Sequence, residues 1–320
     1  MKIMVYYRPL LPCHVDSTGG CYFLMSIHEQ YYTRRFTRRY PGLFIILLDQ
    51  SGSMAEEVDG RGCSKADFAT TAINSLIYEM VQAAKFDVST GKRRKYAYLS
   101  IFGYNDTVYP LLAPEPMDIP FLGDHQRGTV PIVRDVLDSH TGSYRQVSEN
   151  RAFWIEPRTQ GKTQMAEAFA CARDVARGWL AEQPEQGQAP RQECFPPIII
   201  NITDAQDNGN SDPVSITHEI RREGTQQGSI LIFNCHFTTH MGQSQIFPSN
   251  VHEVAHLDPP FAAQMFEMSS IIPEPLRKKA SAEFGLGAEV PYGARSFVYN
   301  ADTNVLIKFL HWGTIGAAIE

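Results

Sequence analysis

The stretch Leu43-Phe44-Ile45-Ile46-Leu47-Leu48-Asp49-Gln50-Ser51-Gly52-Ser53-Met54 decides the fold of this chain. Its apolar run, 43–48, is too short for a typical helix, and it ends abruptly at Asp49 in a Ser/Gly turn. Strands that are buried on both faces have this composition, and they occur in parallel sheets whose two faces are covered by helices. The stretch therefore predicts a central buried strand followed by a polar turn.

Strands and helices alternate along the rest of the chain. The spacing of apolar residues predicts helices over 66–85, 164–183, 213–226, 259–270 and 302–312. Apolar runs predict strands over 96–102, 198–202, 230–233 and 296–299, and a hairpin partner for the first of these over 108–112. This order predicts the α/β class: a Rossmann-like, doubly wound, mostly parallel sheet with one antiparallel edge strand and helices on both faces.

The chain divides into a leader and one domain. Residues 1–40 lack sustained periodicity and contain the basic run 34–39, so we expect an N-terminal arm. Residues 41–320 are predicted to form a single domain with insertions near 113–150 and 240–293. The first insertion is rich in Pro, Gly, Asp and Ser, with a short helix expected near 131–137. Because long loops inside compact domains are often functional, it is the candidate rim for partner selection.

Composition excludes several classes of protein. With 43% hydrophobic and 20% charged residues, the 320-residue chain is not a disordered protein. It has no apolar run long enough to span a bilayer, and its net charge of −6 weighs against a nucleic-acid binder. The first 13 residues make a poor signal peptide because Arg8, Pro9 and Pro12 interrupt the apolar run. The six cysteines form no CxxC pair, so neither a zinc ribbon nor a redox pair is encoded. Together these features predict a cytoplasmic protein without membrane or nucleic-acid partners.

Polar side chains stand where the buried strands end. Asp49, Ser51 and Ser53 follow the first strand, Asp204 follows strand 198–202, and Thr163 lies just before the helix over 164–183. In open α/β sheets the carboxyl ends of the strands meet at one edge, where ligands bind. Carboxylate and hydroxyl oxygens, without His or Cys, suit Mg²⁺ and, at lower preference, Mn²⁺ or Ca²⁺. The sequence therefore predicts a divalent-metal site.

These residues resemble the metal-ion-dependent adhesion site (MIDAS) of von Willebrand factor type A (VWA) domains. The resemblance rests on DQSGSM (49–54) and ITDAQDNG (202–209), and it covers residues 40–312. It implies that Ser51 and Ser53 bind the metal directly, that Thr163 binds directly or through water, and that Asp49 and Asp204 act mostly through bridging waters.

The resemblance also implies a function. A VWA domain is a non-enzymatic, metal-dependent protein-interaction module, whose ion accepts a Glu or Asp side chain from a protein partner. No general base stands among the motif residues. Ala205 and Gln206 replace the Gly and Glu that the family usually has, which bears on the rim that faces the partner.

A finer resemblance concerns the segments FPPIIINITD (195–204), ILIFNCH (230–236) and FEMSS (266–270). They are similar to bacterial stand-alone VWA proteins, including tellurite-resistance-associated members. This resemblance implies a scaffold or adaptor in a stress-response or signalling system, with a 2C-type phosphatase and a Ser/Thr kinase as partners. An adaptor for a MoxR-type AAA+ ATPase is the alternative in the same family.

A different class of function is indicated by His252-Glu253-Val254-Ala255-His256, which matches the HExxH signature of zinc peptidases. Such a site needs a helix that places both histidines on one face, with Glu253 as general base and a third ligand such as Glu267 or Glu274. Prolines on both sides leave room for only about two helical turns. The zinc metallopeptidase is therefore the second hypothesis.

Overall fold

The computed structural model describes residues 31–58, 62–84, 86–87, 91–137, 144–204, 209, 211–238, 244–258 and 260–316. The helices are α1 (Lys65–Ala83), α2 (Ile119–Asp124), α3 (Met165–Ala181), α4 (Pro213–Ile220), α5 (Phe261–Met268), α6 (Glu274–Phe284) and α7 (Thr303–His311). The strands are β1 (Gly42–Asp49), β2 (Phe86–Asp87), β3 (Lys92–Arg93), β4 (Ala97–Tyr104), β5 (Val108–Pro110), β6 (Met117–Asp118), β7 (Gly128–Leu137), β8 (Tyr144–Phe153), β9 (Ile198–Thr203), β10 (Gly224–Thr225), β11 (Gly228–Ser229), β12 (Leu231–Phe237), β13 (Gln245–Ile246) and β14 (Phe297–Ala301).

The main sheet has the order β13-β14-β12-β9-β1-β4-β5, with β6 also paired to β4. Strand β1 is central and runs parallel to both β4 and β9. Strands β9, β12 and β14 continue the parallel pairing on one side. On the other side β5 turns back on β4 as the predicted antiparallel edge, and the two-residue β13 pairs antiparallel with β14. This topology confirms the predicted Rossmann-like, mostly parallel α/β fold.

Helices cover both faces of the sheet because alternate residues of β1 point to opposite sides. Phe44, Ile46 and Leu48 pack into a core that includes buried residues of α1, α6 and α7. Leu43, Ile45 and Leu47 pack into a second core with α3 and α5. Every residue of β1 is buried, as the uninterrupted apolar run requires. Both cores therefore fix the position of the turn that follows Asp49.

The connections to α1 and α4 leave the carboxyl edge of the sheet toward opposite faces. After β1 the chain enters α1, which packs on one face, and after β9 it enters α4, whose Ile220 belongs to the core on the other face. The two neighbouring strands thus send their connections in opposite directions. Such a topological switch point is where open α/β sheets place their binding sites.

The insertion over 113–150 differs from its prediction. The helix expected near 131–137 is wrong, because these residues belong to β7, which pairs antiparallel with β8 over their whole length from Gly128↔Phe153 to Leu137↔Tyr144. The short helix of this region is α2 instead. Strand β8 leads directly to Trp154 and Ile155, both buried in the core. The ribbon of β7 and β8 is thus anchored at its base.

Two further boundaries also differ. The helix expected over 213–226 ends at Ile220, and residues 224–229 form the small β10–β11 hairpin. The segment expected to link residue 270 to residue 293 contains the eleven-residue helix α6. Of the predicted arm over 1–40, residues 1–30 lie outside the described part of the chain. No helix within the described ranges has the length and apolarity that a membrane span would need.

Candidate metal centre

The turn after β1 brings two serine hydroxyls together. The backbone N–H of Ser51 donates to Asp49 Oδ1 at 2.8 Å, which folds the chain back over the end of the strand. A short 3-10 helix, Gly52–Ala55, follows at once. Within this tight turn the hydroxyl oxygens of Ser51 and Ser53 lie 3.1 Å apart. The sequence DQSGSM therefore presents both hydroxyls on the same side of the turn.

Asp204 reaches the same place from a distant part of the sequence. Strands β1 and β9 pair in parallel, with Leu48 opposite Ile202, so the residues that follow the two strands emerge side by side. The hydroxyl of Ser53 donates to Asp204 Oδ1 at 2.7 Å across 151 residues. Three of the five predicted ligands, Ser51, Ser53 and Asp204, thus form one hydrogen-bonded chain of oxygens.

Asp49 lies beneath this chain of oxygens and is fully buried. Besides the bond from Ser51, its Oδ2 accepts a hydrogen bond from the Thr203 hydroxyl at 2.6 Å. Burial, with a smaller contribution from the nearby Asp204 carboxylate, raises the pKa of Asp49 to about 6, although the hydrogen bonds from Thr203 and Ser51 favour its ionised form. A cation bound above Asp49 would favour the ionised carboxylate for the same electrostatic reason.

The loop that carries Thr163 is fastened to the turn after β1. The Gly52 N–H donates to the Gly161 carbonyl at 3.0 Å, and the Gln160 N–H donates to the Gln50 carbonyl at 2.9 Å. Thr163 follows, is 1% exposed and stands just before α3. Within the described residues no hydrogen bond joins its side chain to the other four predicted ligands. The structure therefore places Thr163 in the adjoining loop, outside the bonded cluster.

Asp106 holds this loop in shape, which sequence reasoning missed. Its Oδ1 accepts a hydrogen bond from the Lys162 N–H at 3.0 Å. Gly161 has a φ of +83°, and a β-carbon there would collide with the Asp106 carboxylate. Both observations explain why glycine precedes Lys162 and Thr163. The signal was present in the sequence, because Asp106 closes the turn between β4 and β5 at the same sheet edge.

Lys65 is the second group that sequence reasoning missed. Its side chain is 5% exposed, and its Nζ lies 2.9 Å from Asp204 Oδ2 and 2.6 Å from Glu56 Oε2. Burial by itself lowers the pKa of Lys65, but the hydrogen bonds to Glu56 and Asp204 outweigh it, so the pKa lies above its ordinary value. Lys65 is the first residue of α1, after the N-cap Ser64. A cation is unfavourable at a helix N-terminus, which is the signal that it needs carboxylate partners.

The oxygen cluster fits a divalent cation of the size of Mg²⁺. Neighbouring ligands of an octahedral Mg²⁺ with bonds of about 2.1 Å stand roughly 3 Å apart. The hydroxyls of Ser51 and Ser53 already have this separation, at 3.1 Å. Asp49 and Asp204 bring two carboxylates, whereas Lys65 brings one positive charge that it shares with Glu56. Oxygen donors with a net negative charge are the ligands that hard cations prefer.

The HExxH segment has a different geometry from a zinc peptidase. Residues Val251–Glu253 form a 3-10 helix, and turns follow, so no α-helix presents His252 and His256 on one face. Glu253 caps its own turn, with Oε1 accepting from the Asn250 N–H at 2.9 Å. In the described part of the chain no three His, Cys, Asp or Glu side chains are arranged to hold a metal ion. The segment is thus a capped turn.

Comparison with known proteins gave matches among solved structures alone, since no protein-family model and no curated protein matches the sequence. Proximal thread matrix protein 1 from the mussel byssus, with a zinc-occupied MIDAS motif, is similar at 12% identity over 63% of this chain and 37% of that one, with a TM-score of 0.33. A von Willebrand factor type A protein from Catenulispora acidiphila is similar at 10% identity over 62% and 34%, with a TM-score of 0.34.

A third similar structure is the conserved hypothetical protein BatB from Bacteroides thetaiotaomicron, at 18% identity over 61% of this chain and 66% of that one, with a TM-score of 0.32. The matched region spans 37% and 34% of the lengths of the mussel and Catenulispora proteins.

Proposed function

We propose that this chain is a VWA-type domain that binds a divalent cation, Mg²⁺ in the first place, and uses it to hold a protein partner. Its ligands would be Ser51, Ser53 and Thr163, with Asp49 and Asp204 acting through bridging waters. The observation that carries the proposal is the hydrogen-bonded chain Ser51–Ser53–Asp204 at the carboxyl edge of the sheet. The sequence motif and the topology around β1 support the same assignment.

The chemistry of this donor set favours binding over catalysis. Neutral hydroxyl ligands leave most of the positive charge on the ion when the carboxylates stay one water molecule away. An ion in this state prefers an anionic oxygen at its open position, which a Glu or Asp of a partner would supply. Both oxygens of Asp49 accept hydrogen bonds, from Ser51 and Thr203, so this carboxylate serves as a fixed negative charge. We accordingly propose a non-enzymatic adhesion site.

For the biological setting we propose a cytoplasmic scaffold or adaptor in a bacterial stress-response or signalling system. The partners would be a 2C-type phosphatase and a Ser/Thr kinase. The resemblance of three sequence segments to tellurite-resistance-associated VWA proteins supports this setting. An adaptor for a MoxR-type AAA+ ATPase is the competing assignment within the same site chemistry.

Calorimetric titration of the purified chain with MgCl₂ tests the metal site. We expect one Mg²⁺ per chain, and at least tenfold weaker binding in Ser53→Ala and Asp49→Ala, because each loses a charged or coordinating oxygen. Ser53→Ala is the sharper variant, since it removes one partly buried hydroxyl and spares the core. Ser249→Ala is the matched control, because Ser249 bonds to Glu253 and contacts none of the cluster. Equal Mg²⁺ affinity in Ser53→Ala and Ser249→Ala would refute the site.

A pull-down from a lysate, with Mg²⁺ or with EDTA, tests the interaction. We expect partner proteins to be retained with Mg²⁺ and lost with EDTA or in Asp49→Ala, while the circular dichroism spectrum stays that of the folded chain. Mass spectrometry of the retained proteins then separates the two settings, a kinase and a phosphatase on one side and an AAA+ ATPase on the other. Partner retention that is unchanged by EDTA would contradict the metal-dependent mechanism.

A further inference from the structure

An open cavity lies at the amino edge of the sheet, beside the start of β1. It has a volume of about 420 Å³ and is lined by Thr33, Arg34, Arg35, Thr37, Tyr40 and Gln227. Among the described residues the lining contains two guanidinium groups, hydroxyls and an amide, and no carboxylate. Hydrogen-bond donors and positive charge of this kind are suited to an anion.

The segment that carries these residues is held firmly against the domain. Phe36 is 7% exposed and packs against the rings of Phe44 and Phe195, at centroid distances of 5.2 and 5.4 Å. The Tyr32 hydroxyl donates to the Ser229 carbonyl and accepts from the Ser229 N–H. Gly228, with a φ of +140°, has no β-carbon to collide with the Tyr32 ring. The cavity wall is therefore preorganised.

Arg34 is oriented before any ligand arrives. Its backbone N–H donates to the side-chain Oε1 of Gln227 at 3.1 Å, and its guanidinium lies 4.3 Å from the centre of the Tyr40 ring. Stacking on an aromatic ring fixes the plane of a guanidinium and leaves its edge for hydrogen bonds. Its Nε is buried without a hydrogen-bond partner among the described residues. The stacking therefore holds the Arg34 guanidinium in one orientation.

The basic run 34–39 carries four arginines close together. Within the described residues, none of the four arginines between positions 34 and 39 forms a salt bridge. By contrast, two arginines of the domain have carboxylate partners: Arg173 bonds to Glu219 at 2.7 Å and Arg191 to Glu182 at 3.1 Å. The concentration of four unpaired guanidinium groups in six residues raises the local potential, although the whole chain carries a net charge of −6.

We infer that this cavity, the Arg34 cavity, binds a phosphomonoester dianion. Arg34 and Arg35 offer two planar donor forks, which match a terminal phosphoryl group with three free oxygens. The Thr37 oxygen accepts from the Tyr40 N–H at 3.1 Å, so its O–H is left as a further donor. A phosphodiester has one negative charge and only two free oxygens, so both guanidinium groups would have to share them and would bind it more weakly. The terminal phosphate of a small molecule and that of a phosphorylated protein side chain share this chemistry.

The Arg34 cavity is independent of the metal centre. Strand β1 runs from Gly42, next to the cavity wall, to Asp49 beneath the serine cluster. Seven residue steps of about 3.3 Å each separate the two ends by roughly 23 Å. The inference therefore does not rest on the proposed function, and EDTA should leave phosphate binding unchanged.

Titration calorimetry with methyl phosphate and dimethyl phosphate, at pH 8 in a phosphate-free buffer, tests the inference. We expect saturable binding of methyl phosphate with a millimolar or lower Kd, and at least tenfold weaker binding of dimethyl phosphate. Arg35→Gln should weaken methyl phosphate binding about tenfold; because this side chain is exposed, the fold is not at risk. Arg34→Lys, which keeps the charge and loses the fork, should also weaken it.

The matched control is Arg38→Gln, which removes the same charge from an exposed residue of the same run outside the cavity lining. It should change methyl phosphate affinity less than about twofold. Equal losses in Arg35→Gln and Arg38→Gln, equal binding of the two phosphates, or no saturable binding of methyl phosphate would each overturn the inference.

A phosphoserine peptide, titrated in parallel, distinguishes the two sources of the phosphoryl group. Binding as tight as that of methyl phosphate supports recognition of a bare phosphoryl group, and tighter binding supports a phosphorylated protein segment. A single-stranded oligonucleotide without terminal phosphates that competes equally well would overturn the inference, because it offers phosphodiesters alone.

Discussion

The two edges of the central sheet differ in whether their charged side chains have partners. At the carboxyl edge each buried charge has a partner: Asp204 bonds to Lys65 and Ser53, and Asp49 bonds to Thr203 and Ser51. At the amino edge Arg34 and Arg35 have no carboxylate partner among the described residues. The same strand, β1, connects both places. In the proposed metal centre, the charged groups pair with one another, and a cation would have to compete for their oxygens. In the Arg34 cavity, the guanidinium groups have no such partner among the described residues and are available to the proposed ligand.

The largest expected effect comes from loosening the amino edge alone. Phe36→Ala removes a buried ring that packs on Phe44 and Phe195, and it should lower the free energy of unfolding by about 3 kcal/mol. Methyl phosphate binding should be lost, while Mg²⁺ affinity should stay within about twofold. Urea unfolding and the two titrations measure these quantities.

The control for this change is Phe121→Ala, which removes the same ring from a side chain that is 43% exposed. It should change the free energy of unfolding by less than about 1 kcal/mol. A Phe36→Ala protein that binds methyl phosphate normally, or that loses Mg²⁺ as well, would contradict the separation of the two edges.

An intermediate effect is expected at Lys65, whose ammonium competes with a metal ion for Asp204. Lys65→Met should raise Mg²⁺ affinity about tenfold, because the positive charge 2.9 Å from Asp204 Oδ2 is removed. The metal-free protein should become less stable, since the Asp204 side chain is 1% exposed and would lose its charge partner. Calorimetric titration and thermal unfolding without metal check both parts.

Lys95→Met is the matched control for Lys65→Met. Lys95 also pairs with two carboxylates, Asp118 and Glu185, but its side chain is 39% exposed and lies outside the metal centre. Its Mg²⁺ affinity should stay within about twofold of the unmodified chain. Unchanged affinity in Lys65→Met would show that Lys65 does not oppose the cation.

The smallest expected effect is the coupling between the two ligands. Mg²⁺ or methyl phosphate, each at ten times its Kd, should raise the free energy of unfolding by about 1.4 kcal/mol. When both ligands are present, the increase in the free energy of unfolding should equal the sum of the two separate increases within about 0.5 kcal/mol. The reason is that the sites stand roughly 23 Å apart and share no residue. Urea unfolding with neither, one or both ligands measures the coupling. A larger deviation would mean that the sheet transmits a change between its edges.

Much of the fold could be predicted because its signals are local. The run 43–48 had to be a buried strand, since no water-facing position interrupts it, and observed β1 extends it by one residue at each end. Helices α1, α3 and α7 were predicted from their apolar spacing. Strand β7 was missed because its partner β8 lies several residues away, and the pairing, not the local pattern, makes 131–137 extended.

Helix α6 shows a different failure. Its sequence is polar, with Leu276, Ala280 and Phe284 as its buried residues, so the apolar pattern was weak. The usual signals were present, however, with Pro275 in its first turn and Gly285 in a left-handed conformation at its end. For predicting a polar helix such as α6 from sequence, capping residues are therefore a better signal than the spacing of apolar residues.

The sequence by itself determined which residues could hold a cation, because hydroxyls and carboxylates directly after buried strands meet at one edge of any parallel sheet. Tertiary structure alone decided which of them touch: Ser53 bonds to Asp204 across 151 residues, whereas the side chain of Thr163 makes no hydrogen bond to the other predicted ligands within the described residues. It also placed Lys65 against Asp204 and, among the residues that the structure describes, left Arg34 without a carboxylate partner. Charges are compensated by neighbours in space, which a linear pattern does not specify.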